Sequence, residues 1–377
     1  MNETTGEYKR VAFLLADLQF GGVERFALNL AGGLSQRGIE VDMVLVNATG
    51  QYMSEVPSGV NVVDLGSPRA ITCVPRLVSY LHRTRPYAMI TGQDHISVVG
   101  LLAKLLAGGK TRTMVTHHTM SLIESASGGN RRKAVVPRIM RMLYPSADVL
   151  VAVSENTRED LIRTVGKAAI KTKVIYNGVV TPEFLKTVKE PADHPWFAEG
   201  QPPVVVAAGR LSSASGRHKD YPTVVRAFAI LRKSLDARLM ILGDGEEREG
   251  LISLAHELEI DDYVHIPGFV PNPGAYMTKA DVFVLSSFWE CLPTVAIESL
   301  AAGTPVVATD GAGGTREVVR DDQCGAMVPV GNPEAMATAI GDILMRSGTR
   351  TPEETWNRFT LSAMVDNYMD ALQLEIP

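Results

Sequence analysis

Short runs of branched apolar residues, each followed by a stretch of helical or loop character, recur along this chain. Residues 11–16 (VAFLLA), 41–46, 60–65, 88–91, 113–117 and 148–154 form one series. Residues 204–208 (VVVAA), 238–242, 264–270, 281–285 and 304–309 form a second. Strands alternating with helices build parallel sheets, whose strands are covered on both faces. The length of 377 residues suits two domains of ordinary size. Residues 180–203 hold five prolines and little periodicity, and read as the connector between them.

Hydrophobic residues make up 45% and charged residues 21%, a globular balance. No apolar run reaches the length of a membrane span, and the N-terminus MNETTGEYKR lacks the basic start and apolar core of a signal peptide. Cys73, Cys291 and Cys324 follow no disulfide or zinc spacing, which points to a reducing cytoplasm. Charge is uneven. Residues 1–190 carry 23 Lys and Arg against 16 Asp and Glu, and residues 191–377 carry 14 against 26. A basic first half suits an anionic acceptor or membrane surface. The basic, apolar-interleaved segments 131–141 (RRKAVVPRIMR) and 76–85 are the candidates for such a surface. No nucleic-acid motif is present.

The densest stretch runs from Ser286 to Glu317, after the strand at 281–285. Glu290 and Glu298 are eight residues apart. A helix starting near Pro293, a residue suited to a first helical turn, carries Glu298 on the face nearest Glu290. The strand at 304–309 follows, and then Gly311, Gly313 and Gly314 open a turn before a helix at Arg316. Ligands of open α/β sheets bind outside the carboxyl ends of strands. A carboxylate kept beside a phosphorylated ligand is explained by two ribose hydroxyls, and bare glycines let backbone N–H groups reach phosphate oxygens.

Other strand ends carry chemistry. Gly21 and Gly22 follow the first strand and open a helix, an arrangement that accepts anions. The strand from Thr113 runs into His117 and His118, and Asp94-His95 ends another. Asp244 and Glu246 (GDGEE) resemble a D-x-D metal site only superficially and read as a turn before a helix.

The run "VLSS", then E-x7-E, "ESLAAGTPVVATD", a Gly-rich turn and Glu317, resembles the retaining glycosyltransferases of family 4. The resemblance covers nearly the whole chain, with "VIYNGV" at 174–179 similar to the end of that family's first domain. It implies a GT-B fold: two Rossmann-like α/β domains with parallel sheets facing across a cleft. The domains expected are 1–185, which binds acceptor, and 200–357, which binds the nucleotide sugar, with a C-terminal helix (358–377) returning to the first. The resemblance assigns Arg210 and Lys219 to the donor diphosphate, where fixed cations stabilise charge gained as the glycosidic bond breaks. It gives Glu298 the ribose and Glu290 the sugar hydroxyls. It places Gly21, Gly22, Val270, Cys291, Leu292, Thr294, Gly313 and Gly314 around the donor. His118 aligns with a histidine near the reacting sugar, with His117 the competing choice; Asp94, His95 and His117 are acceptor candidates. Two departures stand out: Asp220 where the family has Gly after the Lys, and Cys291 where it has Gly after the first Glu.

The expected activity is therefore retaining, metal-independent transfer of a hexose or N-acetylhexosamine from a nucleoside-diphosphate sugar. UDP-sugar is the expected donor, and a saccharide or lipid-linked molecule the acceptor, as in surface polysaccharide assembly. No cofactor is expected, and the location is cytoplasmic, at the inner face of the plasma membrane. The alternatives are natural-product glycosylation, a sugar-nucleotide epimerase of the same fold, and a non-catalytic sugar-nucleotide binder.

Overall fold

The computed structural model describes residues 9–19, 21–119, 131–212, 219–319, 324–346, 348 and 350–375. The polar N-terminus and the Ser- and Gly-rich loop at 213–218 lie outside the described residues. The chain divides into two compact units, 1–178 with 361–377, and 179–360.

The first unit is a seven-stranded sheet: β1 Arg10–Leu15, β2 Glu40–Leu45, β3 Val60–Asp64, β4 Ala88–Thr91, β5 Arg112–His117, β6 Val149–Ala152 and β7 Lys173–Val174. The order is β3-β2-β1-β4-β5-β6-β7, with every neighbouring pair parallel. Strand order therefore reverses between β1 and β4, which opens a crevice at their carboxyl ends. Asp94, which the sequence places at a strand end, is instead the first residue of the helix Asp94–Leu106, because β4 stops at Thr91.

The helix Gly22–Gln36 buries Phe26, Leu30 and Leu34, four residues apart, against this sheet. The helix Leu361–Leu372 lies in the same layer, burying Met364, Tyr368 and Leu372 in the same core.

The second unit holds β8 Val204–Ala208, β9 Arg238–Leu242, β10 Val264–Gly268, β11 Val282–Leu285, β12 Trp289–Glu290, β13 Val306–Thr309, β14 Ala312–Gly313 and β15 Gly325–Val328. Six form a parallel sheet ordered β10-β9-β8-β11-β13-β15; β12 and β14 pair separately. The order reverses between β8 and β11, a second switch point. The proline-rich stretch expected to be a bare connector is built into this unit. Pro182 opens the helix Pro182–Thr187, whose N-cap Thr181 accepts from the Phe184 N–H at 3.0 Å. Farther along, His194 stacks on His265. Proline here starts turns rather than loosening the chain.

Candidate functional site

The switch point of the second unit gathers three of the residues singled out in the sequence. The β8 loop ends at Lys219, and the β11 loop carries Ser286, Ser287 and Glu290. Lys219 Nζ donates to Glu290 Oε1 at 2.5 Å, and Ser287 Oγ donates to the same oxygen at 2.8 Å. Ser286 Oγ donates to the Lys219 carbonyl, which ties the two loops together. Both side chains of the ion pair are largely buried, at 17% and 14% exposure, so the pair is held well inside its unit.

Glu298 lies on the helix Thr294–Ala301, which Pro293 caps rather than begins. Burial pushes the Glu298 carboxyl up to about 7, against the opposing pull of the Lys219 cation. One ammonium thus acts on both glutamates of the E-x7-E pair.

The glycine turn is fixed to Glu290 through backbone. Gly313 has φ +110°, and a Cβ there would fall 1.8 Å from the Glu290 carbonyl oxygen, so no side chain fits. Gly314 N–H donates to the same carbonyl at 2.8 Å. The Gly314 amide is therefore already engaged and is not a free phosphate donor in this conformation. Leu292 is buried, Cys291 is half-buried, and Thr294 is exposed. Val270 follows the edge strand β10, two strands away from β8. Arg210 is exposed in the loop after β8. Cys291 does not take a positive φ; the left-handed residue is Asp220, at φ 44°.

Sequence reasoning missed Tyr221. Its ring is buried, and its hydroxyl has no hydrogen-bond partner among the described residues. The hydroxyl crowds Gly209, 2.7 Å from where a Cβ would stand, beside the end of Lys219.

In the first unit, Gly21 caps the helix Gly22–Gln36 in extended backbone, and a Cβ on it would meet Glu24 Oε2 at 2.1 Å. The buried Glu24 carboxyl folds back over the turn and accepts from Gln93 Nε2 at 2.5 Å. Burial raises its pKa. The expected anion-accepting turn is thus occupied by the chain's own carboxyl.

The two histidines have opposite environments. His117 is fully buried, with Nδ1 3.0 Å from Asp94 Oδ1 and Nε2 3.8 Å from Asp160 Oδ2. Burial alone would lower its pKa, but the two carboxylates outweigh it and leave it raised to about 9. Asp94 also accepts from Tyr144 at 3.2 Å and Thr119 at 3.0 Å; burial opposes its ionisation, yet these partners hold it down to about 2. His118 is pushed down to about 3 by burial and by the neighbouring imidazolium. Thr116 Oγ1 donates to the Thr91 carbonyl at 2.9 Å, so it accepts from His118 Nε2 at 3.0 Å. That fixes a neutral Nε2–H tautomer and leaves Nδ1 as an acceptor. The His118 ring rests on Phe26, with centroids 4.5 Å apart. His95 is exposed. Among the described residues, no three His, Cys, Asp or Glu side chains converge as metal ligands.

Two family descriptions match this chain almost end to end: "Glycosyltransferase Family 4" over residues 20–182 and "Glycosyl transferases group 1" over residues 189–354. The chain belongs to glycosyltransferase family 4.

Relatives of this glycosyltransferase include a Campylobacter jejuni N-acetylgalactosamine-N,N'-diacetylbacillosaminyl-diphospho-undecaprenol 4-alpha-N-acetylgalactosaminyltransferase. It is 27% identical over 347 residues, covering 89% of this chain and 90% of that one. A lipopolysaccharide core biosynthesis glycosyltransferase of Rhizobium meliloti is 36% identical over 176 residues, 45% of this chain and 49% of its own length. Among solved structures, the lipopolysaccharide outer core galactosyltransferase WaaB superposes with TM-score 0.76 at 19% identity, covering 97% of this chain and 99% of that one. Anabaena HepE, solved with UDP and glucose, superposes with TM-score 0.75 at 19% identity, covering 97% and 99%. The glycosyltransferase fold is GT-B, two parallel-sheet α/β units.

Proposed function

We propose that this glycosyltransferase moves a hexose or N-acetylhexosamine, with retention, from a UDP-sugar to a saccharide or lipid-linked acceptor in surface-glycan assembly. The Lys219–Glu290–Glu298 cluster carries the reading: one buried cation serves two carboxylates at a switch point. The named relatives support the acceptor class, since one acts on a diphospho-undecaprenol-linked sugar and another in lipopolysaccharide core biosynthesis. HepE was solved with UDP and glucose, which supports the nucleobase.

In this mechanism Glu298 accepts from the ribose hydroxyls and Glu290 orients hydroxyls of the sugar. The bond between the anomeric carbon and the diphosphate breaks, with its electron pair leaving on the phosphate oxygen. Lys219 and Arg210 stabilise that oxygen, in place of a metal. The acceptor oxygen bonds the anomeric carbon on the same face, and its proton passes to the departing phosphate. The neutral His118 contributes a hydrogen-bond acceptor rather than an acidic proton.

The deciding experiment incubates purified protein with a panel of UDP-sugars, with and without undecaprenyl-linked and free saccharides. Acceptor-dependent UDP release with a product heavier by one sugar supports transfer. Sugar conversion without acceptor would establish an epimerase instead.

A further inference from the structure

A second basic site lies at the other end of the first sheet. Around the amino ends of β4 and β5, opposite the crevice that holds Asp94 and His118, is a cavity of about 370 Å³. It is lined by His82, Arg85, Tyr87, Lys104, Lys110 and Arg112 among others, with no carboxylate in the lining. Strands of four to six residues separate it from the crevice, roughly 13–20 Å of backbone.

The cations divide into two kinds. Lys104 is buried, and its three N–H groups already meet Thr113 Oγ1 at 3.2 Å, the Ser146 carbonyl at 2.9 Å and Asp148 at 2.6 Å. It is a fixed wall. Among the described residues, Arg112 donates only to neutral oxygens, Tyr87 at 3.1 Å and Gln373 at 2.8 Å. Arg85 and Lys110 are exposed and form no ion pair among the described residues. Three cations with no carboxylate partner among the described residues thus meet at one concave place.

Arg85 adds an independent observation. It ends the helix Val74–Thr84 in the left-handed region, φ 48° and ψ 55°. Glycine is the residue that takes this position without steric cost. A charged side chain in strained backbone at a pocket rim points to a role for the side chain. Basic residues also complement helix carboxyl termini. Here the last-turn carbonyls of Leu81, Ala103, Lys104 and Leu105 are already paired with backbone N–H groups, so that demand is partly met without them.

We propose that this pocket binds a phosphate group, held by Arg85, Lys110 and Arg112. Guanidinium forks and an ammonium suit phosphate oxygens, and the volume admits a mono- or diphosphate. The phosphate is carried either by a soluble ligand or by a lipid headgroup.

The test uses the full chain with Lys219→Ala and Arg210→Ala, so that the second unit's two diphosphate cations do not contribute, and compares it with the same chain also carrying Arg85→Gly and Lys110→Ser. Inorganic pyrophosphate is titrated by calorimetry, and vesicles of phosphatidylglycerol or phosphatidylcholine are tested by co-sedimentation. Loss of two charge-assisted contacts is expected to weaken binding at least about tenfold. Because Arg85→Gly relieves the backbone, Tm is expected at or above the parent value, which separates lost binding from lost folding. Pyrophosphate binding weakened at least about tenfold by the double change indicates a soluble ligand. Phosphatidylglycerol binding abolished without pyrophosphate binding indicates a lipid source. Equal binding by both chains, or none by either in every arm, overturns the proposal. With Lys219 and Arg210 intact, the Arg85→Gly, Lys110→Ser variant keeps the parent transfer rate at saturating substrates.

Discussion

Lys219 and Glu290 stand 71 positions apart in the chain, yet Nζ and Oε1 are 2.5 Å apart at the switch point of the second sheet. Each satisfies the other's charge. A cation held in place before the reaction needs little reorganisation when charge develops on a leaving group. Lys219→Ala is expected to lower kcat by about 10²–10³-fold, the size seen when one fixed stabilising donor is removed. Donor affinity should fall much less. Steady-state kinetics beside calorimetry checks the split; equal losses in both would mean that Lys219 serves ground-state binding.

Glu298 gives the donor site a pH dependence. Its folded pKa of about 7 is above the ordinary glutamate value, so its protonated form is favoured in the free protein. Ribose hydroxyls donate to the ionised form. Affinity for UDP should therefore rise as pH increases through about 7 and level off above it. In Glu298→Gln this component of the profile should vanish, together with much of the affinity. Calorimetric titrations from pH 5.5 to 8.5 provide the readout. Stability runs the other way: the contribution from this group is complete below the unfolded glutamate pKa and is lost as pH rises through 7.

The hydroxyl of Tyr221, unpartnered among the described residues, predicts an unusual sign. Burying a hydroxyl without a partner costs about 1–3 kcal/mol. Tyr221→Phe keeps the packing and removes that cost, so urea unfolding of the free protein should show equal or greater stability. A clear loss of stability would show that the hydroxyl is satisfied in solution.

His117 links the first unit's stability to pH. Its folded pKa of about 9 lies above the unfolded value, so its contribution is fully present below about pH 6.5 and is lost as pH rises through 9. His117→Gln should flatten that decline. Because it leaves two buried carboxylates without their cation, it should also cost about 3–5 kcal/mol near neutrality. Denaturant midpoints at pH 6 and pH 9.5 for both proteins measure the two effects.

Gly313 fixes where Glu290 stands. Gly313→Ala forces a Cβ onto the Glu290 carbonyl, so the β12–β14 pairing should shift and activity should fall even where the protein stays folded. Comparing circular dichroism with transfer rate separates displacement from unfolding. Parent activity in this variant would show that the turn does not position the carboxylate.

Local pattern fixed much of this protein. The strands at 88–91 and 204–208 stand at their expected bounds, because a four- or five-residue apolar run between breakers has few other ways to be covered. The glutamate pair was legible as types and spacing, and Lys219 only through the family resemblance. Their union was not, since a 71-residue separation is closed only by strand order. Nothing in the sequence signalled that Glu24 would fill the first glycine turn; Asp220, standing where the family has Gly, takes a left-handed backbone. The sequence could not divide the labour of His117 and His118 either. His117 ends β5 and His118 lies just beyond it, and only the packed sheet puts one imidazole between two carboxylates and the other beside a phenyl ring. Periodicity is a property of neighbours along the chain, so it determined the elements. Charge state depends on neighbours in space, so the tertiary structure decided it.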